Sequence, residues 1–343
     1  MSGPLSYTEA MRPPCDGCAA YCCRYLALPE FRVETFDDLD WVVYLSNFDR
    51  IHLTLTESGR WFPYYGEPCR HLDLGTNRCK VHGTPTQPHT CVRYNPFSCH
   101  YRGVFSTGAE EGQLWIDRRR LARLLTGVEV EDLSRAVTLP RFDVLRAAFE
   151  AMPVEATASG AQSAPVPVPE PRRRRRGAPA AAAAPQPGTP TTRVPTVLRF
   201  DDAGVRYPCD GCAAYCCTTL VVPIDPPSDA TLLDYLRYAL GYPSVEVVVA
   251  GESWSLAIPT TCRHLSGSRC SAFGREDRPV RCQFYDAWTC TYRDTFAPER
   301  SGGLRLRYED FPALQALLGF DDRGRALAVP TEADLRAALA NVG

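Results

Sequence analysis

Apolar residues recur at helical spacing in two stretches that occupy matching places in the chain. One is Asp37-Asp-Leu-Asp-Trp-Val-Val-Tyr-Leu45, with acidic residues in its first turn; the other is Ser228 to Leu240, where Ser228 is placed to cap the first turn. Each is followed by two strand-like runs around a glycine: Ile51 to Thr56 and Arg60 to Tyr65 flank Ser58-Gly59, and Val245 to Ala250 and Ser253 to Pro259 flank Gly251. Both pairs read as β-hairpins. Helical spacing returns at Ile116 to Leu125, Phe142 to Met152 and Thr331 to Asn341, the last with Thr331 as a cap. These later helices are expected to pack against the loops between hairpin and helix, which are rich in cysteine. The pattern predicts an α+β fold, built twice.

The duplication is explicit. Cys15-Asp-Gly-Cys18-Ala-Ala-Tyr-Cys22-Cys23 recurs without change as Cys209-Asp-Gly-Cys212-Ala-Ala-Tyr-Cys216-Cys217. Downstream, Cys69-Arg-His71-Leu matches Cys262-Arg-His264-Leu, and Cys79, Cys91 and Cys99 match Cys270, Cys282 and Cys290. All 16 cysteines are then used, eight per copy. The spacing holds as well: 45 residues separate Cys23 from Cys69 and 44 separate Cys217 from Cys262.

Between the copies lie Pro-Val-Pro-Val-Pro-Glu-Pro, the run Arg172 to Arg176, a row of alanines and Pro-Gln-Pro-Gly-Thr-Pro, with too few large apolar residues to bury a core. The expected division is a first cysteine-cluster domain over 1–151, a disordered linker over 152–197 and a second cysteine-cluster domain over 198–343. Arg172 to Arg176 reads as a solvated charge run that keeps the linker open, with contact to nucleic acid or an acidic partner as the lesser alternative.

The balance of 38 basic against 40 acidic residues gives a net charge of −2, so no global field draws the chain to polyanions. No apolar run approaches the roughly 18 to 20 residues of a membrane span. The opening Met-Ser-Gly-Pro-Leu-Ser-Tyr lacks the basic start and apolar core of a secretory leader, which points to a reducing cytoplasm where thiols serve metal or redox chemistry.

A Cys-x2-Cys turn, eased here by Gly17 and Gly211, sets two sulfurs on one side of a tight loop, close enough to hold one zinc ion at about 2.3 Å. The adjacent pairs Cys22-Cys23 and Cys216-Cys217 are expected to diverge, the second thiol reaching another ion, bridging two ions or packing as a buried thiol. Eight thiols suit two four-thiolate zinc sites, an iron-sulfur cluster with spare thiols, or a multinuclear centre. Thiolate centres carry negative charge, and Arg70, Arg78, Arg93 and Arg102 in one copy, with Arg263, Arg269, Arg278, Arg281 and Arg293 in the other, are candidates to offset it. His71 and His264 read as hydrogen-bonded structural imidazoles in preference to ligands, and His52, His82, His89 and His100 have no counterpart in the second copy. Tyr94 with Tyr285, and Tyr101 with Tyr292, read as aromatic packing over the centre.

The combined pattern resembles the YkgJ-type cysteine cluster family, described as a zinc- or iron-chelating domain. Its Cys-x2-Cys-x3-Cys-Cys, Cys-x2-Leu, Cys and Arg-Pro-x2-Cys elements align with Cys209, Cys212, Cys216, Cys217, Cys262, Leu265, Cys270 and Arg278-Pro279-Val-Arg-Cys282. The first copy follows with Cys15, Cys18, Cys22, Cys23, Cys69, Leu72, Cys79 and Pro88-His-Thr-Cys91. Gln87 replaces the family arginine, Val92 and Gln283 stand where another arginine often follows, and Cys99 and Cys290 lie beyond the family pattern. The resemblance covers about residues 13–103 and 207–294. It implies metal held by cysteine thiolates; a related cluster in flagellin lysine methylase implies iron-sulfur binding.

Three readings follow. The first is a tandem zinc- or iron-binding protein used for structure, metal handling or interaction with a protein partner. The second is an iron-sulfur enzyme or electron carrier acting on a protein side chain, although no Walker loop, dinucleotide fingerprint, His-Glu-x2-His or nucleophile elbow is present. The third is a dithiol redox enzyme, disfavoured because the Cys-Cys pair and later thiols do not fit a thioredoxin-like setting.

Overall fold

A computed structural model describes residues 18–95, 99, 101, 104–105, 109–110, 112–152, 209, 212–275, 278–297 and 302–340. It is a mixed α+β structure. The linker expected over 152–197 lies outside the described residues from position 153 onward, as do Cys15, His100, Arg102 and Arg172 to Arg176.

In the first copy the described elements are α1 (Tyr21–Arg24), β1 (Tyr25–Ala27), β2 (Phe31–Arg32), α2 (Phe36–Leu45), β3 (Ile51–Thr56), β4 (Arg60–Gly66), β5 (Leu72–Asp73), β6 (Arg78–Cys79), α3 (His89–Arg93), β7 (Ala109–Glu110), β8 (Gln113–Ile116), α4 (Arg118–Leu125), β9 (Glu129–Val130), β10 (Val137–Thr138) and α5 (Phe142–Glu150). The second copy has α6 (Tyr215–Thr218), β11 (Thr219–Ile224), α7 (Ala230–Leu240), β12 (Glu246–Ala250), β13 (Ser253–Pro259), β14 (Leu265–Ser266), β15 (Arg269–Cys270), α8 (Val280–Gln283), α9 (Thr291–Phe296), β16 (Leu304–Leu306), α10 (Phe311–Ala316) and α11 (Glu332–Ala340).

Each copy centres on an antiparallel sheet, β1-β4-β3-β8 in one and β11-β13-β12-β16 in the other. The registers correspond: Leu53 faces Pro63 and Ile116, and Val247 faces Leu256 and Leu306. Both expected hairpins are present, and Gly59 (φ 77°) and Gly251 (φ 60°) take the left-handed conformation that their turns require.

Three sequence-based expectations need adjustment. Ser228 is not the cap of α7: the Asp229 carboxylate accepts from Thr231 N and Leu232 N, both at 2.8 Å, and Ser228 lies one residue too early. Ile116 belongs to β8, and α4 starts only after Asp117, whose carboxylate accepts from Arg120 N at 2.9 Å. The helix ending at Leu45 starts at Phe36, behind a capping box formed by Thr35 and Asp38. Thr331 does take the capping place of α11, accepting from Asp334 N at 3.2 Å.

The two copies share a core. One cluster of buried apolar side chains includes Leu26, Leu45, Phe48 and Leu53 from the first, and Leu220, Leu236, Leu240 and Leu256 from the second. Phe48 bridges to Cys262, Asp49 N donates to Thr261 O at 2.8 Å, and Tyr65 Oη donates to Pro259 O at 3.2 Å. The later helices and Cys69, Cys91, Cys262 and Cys282 pack on one common core. Leu121, Leu124, Leu145 and Phe149 on α4 and α5 join the shared core, α11 packs on α10, and the partners of the cysteine loops are α2 and α7 of the opposite copy. A helix with apolar positions on more than one side can serve its own sheet and the neighbouring copy together.

A second, aromatic cluster of Tyr64, Tyr101, Phe105 and Trp115 exists beside the first sheet, and the His52 ring lies among Tyr25, Phe105 and Trp115. Burial holds His52 neutral, its pKa lowered from 6.5 to about 4. No helix among the described residues is long and apolar enough to cross a membrane.

Leu236→Ala, at a position 1% exposed in the shared core, should lower stability by about 2–5 kcal/mol. Urea unfolding followed by hydrogen exchange should show both sheets losing protection together; loss confined to the second sheet would contradict a common core. For His52 the unfolded chain takes up a proton before the folded one as pH falls. Its contribution is therefore complete above about pH 6.5 and is lost toward about pH 4, a range equivalent to at most about 3 kcal/mol. Urea midpoints measured between these limits should fall less steeply with acid in His52→Gln than in the parent protein.

Candidate metal centres

Local geometry explains how the thiols meet. In the second copy the Cys-x2-Cys turn is closed by Cys212 N donating to Cys209 O at 3.2 Å. The alanine before each cysteine pair, Ala20 (φ 55°) and Ala214 (φ 57°), adopts the left-handed conformation that L-residues avoid, and the chain then enters a one-turn helix carrying both thiols. Cys69 N donates to Cys23 O, and Cys262 N to Cys217 O, each at 2.7 Å, which fixes the second cysteine station against the first. Cys79 and Cys270 are presented by two-stranded ribbons, paired with Leu72 and Leu265. Cys91 and Cys282 follow on short helices that start after Pro88 and Pro279.

The Cys23 thiol donates to Cys22, lowering the Cys22 pKa from 9.0 to about 7 while Cys23 is raised. Cys216 is likewise lowered and Cys217 raised by their mutual hydrogen bond, and Cys217 also bonds Cys262, whose pKa falls to about 7. A single helical turn keeps neighbouring thiols close enough for one to donate to the other. Burial raises Cys69, and it pushes Cys91 and Cys282 up to about 12. The charges of Cys22, Cys69 and Cys79 act on Cys91, and those of Cys216, Cys262 and Cys270 act on Cys282. Charge effects thus connect Cys22, Cys23, Cys69, Cys79 and Cys91 in one copy, and Cys216, Cys217, Cys262, Cys270 and Cys282 in the other.

The remaining described cysteines stand differently. Cys290 accepts from Tyr285 Oη and from Arg293 N, both at 3.4 Å, and caps α9. Cys99 shares a hydrogen bond with Tyr94 that raises the tyrosine. Tyr94 packs on Tyr101 and Tyr285 on Tyr292, with ring centroids 5.9 and 6.1 Å apart, so the matched tyrosines surround the last cysteine of each copy.

Every described cysteine is a free thiol. The donor chemistry suits a thiophilic ion, and the buried Nε–H groups of Arg70, Arg278 and Arg293 have no acceptor among the described residues. As they stand, no three His, Cys, Asp or Glu side chains among the described residues form a group that could hold an ion. The convergence is one of stations within electrostatic reach, short of a coordination sphere.

Only some of the candidate arginines act on the thiols. Arg70 favours the Cys69 thiolate, and Arg278 favours those of Cys216 and Cys282. Arg118, from the first copy, does the same for Cys262 in the second. Arg78, Arg93, Arg263 and Arg269 are exposed, and Arg281 lies 4.6 Å over Trp41. At the position matching Arg278, Gln87 instead accepts from Gly83 N at 2.7 Å. His71 Nε2 is 3.0 Å from Tyr308 Oη, and His264 Nε2 is 3.2 Å from Asn47 Oδ1, so each imidazole engages the opposite copy.

The residues that sequence reasoning missed are the two carboxylates that close these layers. Asp234 on α7 accepts from His89 N at 2.7 Å, Thr90 N at 2.6 Å and Thr90 Oγ1 at 2.8 Å, at the start of the helix bearing Cys91. Asp40 on α2 accepts from Val280 N at 2.7 Å, Arg281 N at 2.9 Å and Arg281 Nε at 3.2 Å, at the start of the helix bearing Cys282. A signal existed: Asp40 and Asp234 stand 17 residues after Cys23 and Cys217, respectively.

No family model, curated protein or solved structure matches the chain.

In reduced, metal-free protein at neutral pH, iodoacetamide should modify Cys22 and Cys262 well before Cys91 and Cys282, because the thiolate is the reactive form. Peptide mass spectrometry over a time course checks the order, and early modification of Cys91 or Cys282 would refute the described thiol environment.

Proposed function

We propose that the protein is a tandem binder of zinc or iron, with metal held by cysteine thiolates in each copy and used for structure, metal handling or contact with a protein partner. The observation that carries this reading is the repeated cysteine spacing together with the backbone bonds that set one cysteine station against another in each copy, Cys69 N to Cys23 O and Cys262 N to Cys217 O, both at 2.7 Å. Cys22, Cys23, Cys69, Cys79 and Cys91, with their counterparts Cys216, Cys217, Cys262, Cys270 and Cys282, are the inner donors; Cys15, Cys18, Cys209 and Cys212 complete the knuckles, while Cys99 and Cys290 stand as outer thiols. The YkgJ-type resemblance supports the same chemistry. A bound metal would join loops that have little apolar surface of their own, and its binding free energy would add to that of folding.

Anaerobic purification with elemental analysis and a visible spectrum tests the reading. Stoichiometric metal in both copies is the expected result. A colourless zinc protein would exclude the iron-sulfur alternative, whereas iron with acid-labile sulfide would favour it. Cys212→Ser should reduce the metal content of the second copy, and a folded, reduced protein that takes up neither metal would overturn the proposal.

A further inference from the structure

We infer that the two thiol layers are closed in trans and are therefore linked: Asp234 positions Cys91, Asp40 positions Cys282, and metal held in one layer strengthens the other. The linkage rests on the metal-binding reading; the trans closure does not.

Neither Pro88 nor Pro279 offers a side-chain cap to the helix it precedes. The first amides of α3 and α8 would lie without acceptors were it not for a carboxylate from the opposite copy. Charge-assisted bonds at 2.6–2.9 Å tie these amides to Asp234 and Asp40. The same two helices reach a second cysteine station. Gly241 O, after α7, accepts from Arg70 N at 2.9 Å, and Asn47 O, after α2, accepts from Arg263 N at 2.8 Å. Beyond α7, Tyr242 Oη donates to Cys22 O at 3.1 Å, adding a third station in the first copy.

One helix thus spans the first layer while its Leu233, Leu236 and Leu240 belong to the shared core, and α2 makes the matching connection in the other direction with Leu39, Val42 and Leu45. An ion that draws Cys69 and Cys91 together fixes α7; an ion joining Cys262 and Cys282 fixes α2. Because the helices pack in one core, ordering either favours the arrangement the other layer needs, and linkage makes the effect equal in both directions.

The test uses the reduced full-length protein and compares the parent with Asp234→Asn, Asp40→Asn and Asp229→Asn. The last weakens the cap of α7 within its own copy. A brief N-ethylmaleimide pulse, read by peptide mass spectrometry without metal, should label Cys91 about ten-fold faster in Asp234→Asn, as expected for loss of a charge-assisted hydrogen bond, with Cys282 changed less than about two-fold. Asp40→Asn should show the mirror pattern. General destabilisation would expose both layers, so equal labelling in both copies, faster labelling in the mutated residue's own copy, or the same pattern in Asp229→Asn would overturn trans closure. Zinc titration against a chromophoric chelator should then show about ten-fold weaker binding in the first copy of Asp234→Asn, and lost cooperativity between copies. Unchanged zinc binding in that variant would overturn the linkage and leave the metal reading standing. A parent protein that binds no zinc or iron would defeat the metal reading and the linkage, while the labelling pattern still decides trans closure.

Discussion

The structure depends on a carboxylate that crosses from each copy to the first turn of a short, cysteine-bearing helix in the other. Asp40 is only 5% exposed, and a charge so placed is tolerable only when hydrogen bonds replace its water. Two backbone amides and the Arg281 guanidinium supply them. Asp234, half-buried, makes the equivalent contacts to two amides and the Thr90 hydroxyl. Removing the partners of Asp40 would leave a buried carboxylate without hydrogen bonds, so helix and cysteine loop are held as a unit there.

Around this exchange the copies have diverged where the thiols do not constrain them. His52 and Trp115, in contact on neighbouring strands of the first sheet, are matched by Glu246 and Arg305 in the second, which pair at 2.5 Å. Arg307 binds the same Glu246 at 2.9 Å. One sheet thus carries an aromatic cluster with a neutral imidazole where the other carries an ion-paired network. Gln87 and Arg278 differ in the same way, since only the arginine lends positive charge to nearby thiols. The two thiol layers share a backbone plan and differ in electrostatic setting.

Much of the fold was readable because it is local. The hairpins follow from alternating apolar runs broken at Gly59 and Gly251, and the helix following each knuckle follows from apolar spacing, with an acidic first turn in the first copy. Boundaries were less secure where two capping residues stood side by side, as at Ser228-Asp229, or where a strand ran straight into a cap, as at Ile116-Asp117. That α4 and α5 would be buried was legible, but what they are buried against was not, since apolar spacing marks a buried face and says nothing of its partner.

By itself the sequence determined the duplication, the inventory and spacing of the thiols, and the central helix and hairpin of each copy, because these are set by covalent order and by interactions within a few residues. Tertiary structure decided which copy closes which thiol layer. Asp40 and Val280 are 240 positions apart, and the choice between an aspartate facing solvent, its own loop or the opposite copy depends on how two sheets and six helices share one core. Such a contact carries no periodicity along the chain; it exists only once the copies have packed.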